Sequence, residues 1–392
     1  MKSKKIAALT LTSTLFLGAC SFDLSQKSDT KEVITESEQG KEVQAVVSPA
    51  IDTTDSYYRT VLPFRPSVAR GMTQKRVSSR LELDEIETGL MRHSTQFFAP
   101  DKYYYQEGQL LEADQIAQWL LRKGKAGDGV SDPNGLNPAY TTGKSYKEKN
   151  QKSPLILSHI LEQDYMLEED KKLELGGTSV ALVLNSEYVF QDENYGPTYT
   201  VKLDEKKVIA EGKRMANELV KKMRKTDGIK TTPIHVALYL QESEGSPVSG
   251  HYVSSAFIGR GNQISSNDWK NYDEKYYYYP SGAATNDVRD DAAKFDLFKD
   301  RLEDYFPNYT GMMGEGFYQE GELKKLEIKI PVQFYGKAEL VAFIQYVTYL
   351  LENRWEYNRN VPTTITVTNL NGDTEAMLFI EPDTKKPIVK IR

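Results

Sequence analysis

One cysteine in 392 residues rules out a disulfide within the chain, and with it CxxC zinc and redox frameworks. The four histidines, His93, His159, His235 and His251, stand too far apart for a sequence-local metal motif such as HExxH. No Gly-x-Ser-x-Gly elbow occurs, so a serine-hydrolase triad has no anchor. No apolar run reaches the roughly 20 residues that a membrane-spanning helix needs. Lys and Arg number 50 against 56 Asp and Glu, a net charge of -6, so no basic field draws the chain to nucleic acid. These absences leave no catalytic residue, no metal site and no cofactor to be read from motifs. A non-catalytic body with no nucleic-acid partner is the expectation.

What is present begins at the N-terminus. Lys2, Lys4 and Lys5 form a positive region, and Ile6 to Leu17 form an apolar stretch of signal-peptide length. Two small residues follow, then the single cysteine, so Leu17-Gly18-Ala19-Cys20 has the form of a bacterial lipobox. Each part serves the chemistry. A membrane-embedded peptidase needs small side chains beside the scissile Ala19–Cys20 bond, and the Cys20 thiol can form a thioether to diacylglycerol. The expected product is a chain lacking residues 1–19 and tethered by lipidated Cys20 to the extracytoplasmic face of the membrane. Its first partners are the lipoprotein-processing enzymes and the membrane itself. Apart from that covalent lipid, no cofactor is expected.

Residues 20–50 are rich in Ser, Thr, Lys, Glu and Gln with almost no aromatics, which reads as a disordered tether. The body is expected to be α+β, in two related lobes, 51–258 and 259–392, with antiparallel sheets and long packed helices. Helical spacing from Leu83 through Ile86, Leu90 and Met91 predicts one helix, and Ile116, Trp119 and Leu120 mark another. Pro154 to Gln163 reads as helix, and Thr178 to Phe190 as strand. Asp204 caps a helix to about Lys225, followed by strands at Ile234 to Leu240 and Tyr252 to Ile258. The last third repeats that order: a strand over Leu323 to Tyr335, a helix over Ala338 to Trp355, then strands joined at Asn371-Gly372. Lys230-Thr231-Thr232-Pro233-Ile234 and Val361-Pro362-Thr363-Thr364-Ile365 open corresponding strands, the mark of a weak internal duplication.

Candidate sites are few. Gly124 to Pro138 gathers Asp, Asn and Gly, but lacks EF-hand spacing and reads as turn chemistry. The acid runs Glu168-Glu169-Asp170 and Asp290-Asp291 read as solvated surface, because a glycosidase needs carboxylates facing each other at defined separation. Aromatics are the excess, with 25 Tyr in the chain. Trp269, Tyr272, Tyr276, Tyr277, Tyr278 and Tyr279 form the candidate binding face, for a peptide or glycan ligand. Alternation along a strand would send half of the tyrosine run to the opposite side. A cell-wall glycan hydrolase and a solute-binding lipoprotein remain the alternatives.

The lipobox, Pro247-Val248-Ser249-Gly250-His251-Tyr252-Val253-Ser254-Ser255-Ala256-Phe257, Tyr305-Phe306-Pro307-Asn308 and Gln333-Phe334-Tyr335-Gly336-Lys337-Ala338-Glu339-Leu340 together resemble the CamS family of sex-pheromone precursor lipoproteins of Gram-positive bacteria. The resemblance implies that the released signal fragment is trimmed to a short hydrophobic peptide ending at the cleavage site, a conjugation pheromone. The matching residues are Ser13, Thr14, Leu15, Phe16, Leu17, Gly18 and Ala19. Aligned on the cysteine, the family's best-known peptide, Ala-Ile-Phe-Ile-Leu-Ala-Ser, shares only Leu17, with small residues kept at 13, 18 and 19. The resemblance implies no activity for the mature body.

Overall fold

The structure is a computed structural model, and it describes residues 31–36, 42–48, 57–72, 80–126, 129–306, 311–382, 384 and 386–392. The lipobox, Cys20 and Ser13 to Ala19 lie outside the described residues. The fold is α+β.

The first part of the chain runs β1 (Lys31–Glu36), β2 (Glu42–Val47), β3 (Arg59–Leu62), α1 (Arg80–Ser94), β4 (Tyr104–Glu107) and α2 (Ala113–Trp119). The two-residue strands β5 (Arg122–Lys123) and β6 (Ser131–Asp132) and helix α3 (Tyr146–Lys152) follow. Then come β7 (Leu157–Glu169), β8 (Lys172–Asn185), β9 (Glu187–Gln191), β10 (Thr198–Lys202), α4 (Glu205–Met223), β11 (Ile234–Gln241), β12 (His251–Ile258) and β13 (Trp269–Asn271). Nine of these strands form one sheet, in the order β1-β2-β3-β4-β7-β8-β11-β12-β13. Helix α4 packs on one face through Val208, Met215, Leu219 and Met223, and α1 covers the other through Ile86 and Leu90. Asp204 caps α4 as expected, its carboxylate accepting from the Lys207 N–H at 2.9 Å.

The second part runs β14 (Glu274–Tyr279), α5 (Gly282–Asp287), α6 (Arg289–Glu303), β15 (Met313–Gln319), β16 (Glu322–Pro331), α7 (Lys337–Asn353), β17 (Thr363–Thr368), β18 (Thr374–Ile380) and β19 (Ile388–Ile391). Its six strands form a sheet in that order. Helices α6 and α7 bury one face with Phe295, Phe298, Phe343 and Val347. On the opposite face the side chains of Tyr276, Tyr278 and Glu315 are half-buried. Only Tyr272 and Asp273 separate the two sheets along the chain.

Three expectations are corrected. The sheets are mixed, not antiparallel: β8 pairs β11 and β16 pairs β17 in parallel, and β3 pairs β4 likewise. The first two follow from a long helix crossing between neighbouring strands, which returns the chain in the same direction. Part of the expected tether is ordered, because β1 and β2 pair antiparallel and bury Val33, Ala45 and Val47. Its apolar-polar alternation is broken in sequence, because Ile34 and Val46 take partly exposed positions while Thr35 takes a buried one. The stretch Pro154 to Gln163 is not a helix: strand β7 starts within it, at Leu157. Strand β7 is covered on both faces, so both sides carry apolar residues and the alternation that would identify a strand is lost.

The two sheets share a motif. β7-β8-α4-β11-β12 and β15-β16-α7-β17-β18 have the same strand order and the same senses of pairing. The equivalent prolines even make equivalent bonds: Thr178 N–H donates to the Pro233 carbonyl, and Leu326 N–H to the Pro362 carbonyl, each at 3.0 Å. Proline suits the entry of that strand because it keeps its acceptor while lacking a donor.

Candidate functional site

Helix α1 carries two stripes. Ile86, Gly89, Leu90 and His93 face the first sheet, while Glu85, Thr88 and Arg92 turn toward the open face of the second. Gly89 is required there, since a Cβ would lie 2.6 Å from the Tyr252 ring and 2.7 Å from Glu85 Oε1. The space left between α1 and strands β14–β16 is a cavity of about 430 Å³, bordered by Met91, Arg92, Tyr276, Phe317, Lys324 and Lys325. A second hollow of about 250 Å³ continues it, adding Asp84, Glu315 and Glu327. Both lie in or near the size range of small-ligand sites.

The floor is a fixed ion-pair network. Glu85 accepts from Arg92 Nη2 at 2.7 Å and from the Tyr276 hydroxyl at 2.6 Å. Arg92 also reaches Glu274 at 3.3 Å and lies 4.6 Å from the centre of the Phe317 ring. Buried Glu274 further has His93 Nε2 at 3.0 Å and accepts from Gln319 Nε2 at 3.1 Å. Burial alone would raise the Glu274 carboxyl, but His93 and Arg92 outweigh it and hold it below its ordinary value. Burial, then the neighbouring Glu85, pushes the Tyr276 phenol far up, so it stays a donor at any physiological pH.

Glu315 differs. It sits directly across from Glu327 on the neighbouring strand. Burial, then Glu327 and Glu85, push its carboxyl up to about 7. A raised folded-state pKa gives stability that is present below the unfolded value and lost as pH rises through 7. Glu315→Gln is therefore expected to flatten the decline in stability between pH 5 and pH 8. At pH 8 it should stabilise the protein by about 1–3 kcal/mol. Urea unfolding at the two pH values measures this, and an unchanged pH slope would show that Glu315 titrates normally.

The six aromatics read from the sequence do not share one face. Tyr277 and Tyr279 enter the second core, and the Tyr277 hydroxyl donates to Asp287 at 3.0 Å. Tyr272 lies 4.0 Å from the His93 ring, and Trp269 packs at the edge of the first core. Tyr276 borders the cavity and Tyr278 a neighbouring shallow hollow with Pro247 and Met313. Alternation in β14 sends every second tyrosine to the helices. The sequence reading missed Glu85, Arg92, Glu274, Glu315 and Phe317. Their signal was a polar i, i+3, i+7 stripe beside the apolar stripe of α1 and the alternation of Glu315 and Phe317 in β15.

Other polar clusters are sealed. His235, Ser94 and Ser179 lie together, with each hydroxyl oxygen 3.2 Å from His235 Nδ1, and all three are fully buried. Burial, then His93, lowers the His235 imidazole to about 3, so it is neutral and structural. Glu162 accepts from the N–H groups of Leu110 and Leu111, and Asp164 from that of Gln109, tying a loop to β7. The cavity beside Glu162 is about 20 Å³, room for little more than one water. At Asp132 the polar loop forms a tight turn, Asn134 N–H donating to its carboxylate at 2.7 Å. Among the described residues no group of three His, Cys, Asp or Glu is placed to hold a metal ion.

The family described as CamS sex pheromone cAM373 precursor matches residues 64–386. A solved sex pheromone precursor from Lactobacillus salivarius subsp. salivarius is similar at 28% identity and a TM-score of 0.78, covering 87% of this chain and 98% of that one. The C-terminal domain of the sex pheromone staph-cAM373 precursor from Staphylococcus aureus is similar at 29% identity and a TM-score of 0.67, covering 80% and 98%. No curated protein matches the chain.

Proposed function

The chain belongs to the family of CamS sex pheromone cAM373 precursors, and from that premise we propose that it gives two products. One is a lipoprotein held on the extracytoplasmic face of the membrane by a diacylglycerol thioether on Cys20. The other is a peptide cut from the signal fragment and ending at Ala19. The observation that carries the reading is the position of the single cysteine, directly behind two small residues and a signal-length apolar run. Among the described residues no helix is long and apolar enough to cross a membrane.

The mature body is read as a non-catalytic binding module whose ligand seat is the cleft between α1 and the second sheet. Support comes from its size, its aromatic and cationic lining and its rigid floor. A glycan hydrolase is the second reading, favoured by Glu315, whose raised pKa suits a general acid. Against it, Glu315 and Glu327 stand side by side on one face of one sheet, and both oxygens of Glu85 are already engaged. Incubation with purified cell wall separates the two: soluble sugar release that is lost in Glu315→Gln would establish the hydrolase.

For the peptide, synthetic Ser13 to Ala19 is expected to induce clumping of plasmid-bearing recipient cells at low concentration. Silence in that assay would reduce the chain to its lipoprotein role.

A further inference from the structure

The cleft has two electrically different ends. At one, Lys324 borders the larger cavity beside Arg92, whose charge Glu85 and Glu274 already share. At the other, Asp84, Glu315 and Glu327 surround the smaller one. Glu85, Tyr276, Phe317 and Lys325 border both, so the two hollows are one trough. Its middle is aromatic, with the Tyr276 and Phe317 rings 4.8 Å apart.

The charges at the two ends are available to a ligand to different degrees. Lys324 is paired with Glu322, whose side chain is 75% exposed, at 2.6 Å. Such an exposed pair holds its lysine weakly, so the ammonium can turn to a better anion. Lys325 pairs with Glu327 at 2.8 Å through side chains 45% and 55% exposed, so the two ends of a ligand can part that pair as well. Glu315 faces Glu327 across the strand pair, a like-charge contact that Lys325 relieves only in part and a ligand cation relieves further. Glu85 itself is satisfied by Arg92 and Tyr276 and stays part of the floor.

We propose that this trough binds a short peptide with both termini free, its carboxylate toward Lys324 and Lys325 and its ammonium toward Glu315 and Glu327. The proposal rests on the reading of the body as a binding module and names that module's ligand class. A neutral glycan would leave both charged ends unused. A polyanion would be attracted at one end and repelled at the other. A free tripeptide carries opposite charges about 10 Å apart when extended, with a side chain between them to lie on Phe317.

Binding is also linked to protons. The groups facing Glu315 are Asp84 and Glu85 from α1, Lys325, Glu327 and Lys329 from β16, and Tyr276 and Tyr278 from β14. An ammonium placed among them favours the ionised carboxylate, so peptide binding near neutral pH releases a proton from Glu315.

The test is calorimetric titration of the full-length lipoprotein in detergent with Ala-Phe-Ala, N-acetyl-Ala-Phe-Ala, Ala-Phe-Ala amide and a tetramer of N-acetylglucosamine. Ala-Phe-Ala is expected to bind, and blocking either terminus to weaken binding at least tenfold. Lys324→Ala combined with Lys325→Ala should weaken the free peptide but not its amide. Glu315→Gln should weaken the free peptide but not the acetylated form, and should abolish the buffer-dependent heat of proton release. Equal binding of free and blocked peptides overturns the proposal. Binding of the tetrasaccharide alone, with loss in Phe317→Ala, overturns the peptide and keeps the cleft as a binding site. Absence of binding by all four probes overturns both.

Discussion

Cys20→Ser is expected to remove acyl label from the chain completely and to transfer the body from the membrane fraction to the soluble fraction. Two acyl chains hold a protein firmly, since each buried methylene contributes about 0.8 kcal/mol, whereas one chain alone gives only marginal attachment. Serine keeps the shape of the side chain but cannot form the thioether. The apolar run from Ile6 to Leu17 is too short to take over as a spanning anchor, which needs roughly 20 residues. The measurement is metabolic labelling with radioactive palmitate together with fractionation of cells and medium. Persistence of the label, or a variant that stays in the membrane through an uncut N-terminus, would refute the lipobox. The same variant should stop release of the fragment ending at Ala19, so anchoring and peptide production are expected to fail together.

Much of the fold was legible because its helices are amphipathic and its turns carry strong local chemistry. Helix α4 announces itself by Asp204 and by Val208, Met215, Leu219 and Met223, and the hairpin β17–β18 by Asn371-Gly372, where Gly372 adopts φ +89°. The duplicated strand–helix–strand order was visible in the paired proline segments, and the structure gives it a common topology around Pro233 and Pro362. What was not legible depends on which neighbours cover a strand. Strand β7 hides its period because both faces are covered. The parallel pairings follow from where α4 and α7 return the chain, which local pattern does not encode. The cleft was the least legible part. Arg92, Glu274 and Phe317 lie far apart in sequence, and only the seating of α1 against both sheets brings them together.

That seating depends on one anchor, and Gly250→Ala is expected to break it. Glu82, at the start of α1, is almost fully buried. It accepts from the Tyr239 hydroxyl at 2.5 Å, the Glu242 N–H at 2.8 Å and the Gly250 N–H at 3.1 Å. Burial raises the Glu82 carboxyl, and the three donors act against that shift, which makes the arrangement sensitive to any displaced donor. A Cβ on residue 250 would stand 2.0 Å from the Leu240 carbonyl oxygen and 2.7 Å from the Gln241 Cα. Those atoms are backbone, so relief requires the β11–β12 pair to open and the Gly250 N–H to leave Glu82. The expected loss is about 3–5 kcal/mol, measured as a fall in the urea midpoint. Glu82→Gln should cost about 1–3 kcal/mol, because it replaces a charged acceptor of several hydrogen bonds with a neutral amide. The two changes act on the same contact, so the double variant should lose clearly less than the sum of the single losses. Strict additivity would show that Gly250 serves β-strand pairing alone. Because Glu85 and Arg92 follow Glu82 along the same helix, Gly250→Ala should also loosen the floor of the cleft. Ligand affinity and stability are therefore expected to fall together in that variant.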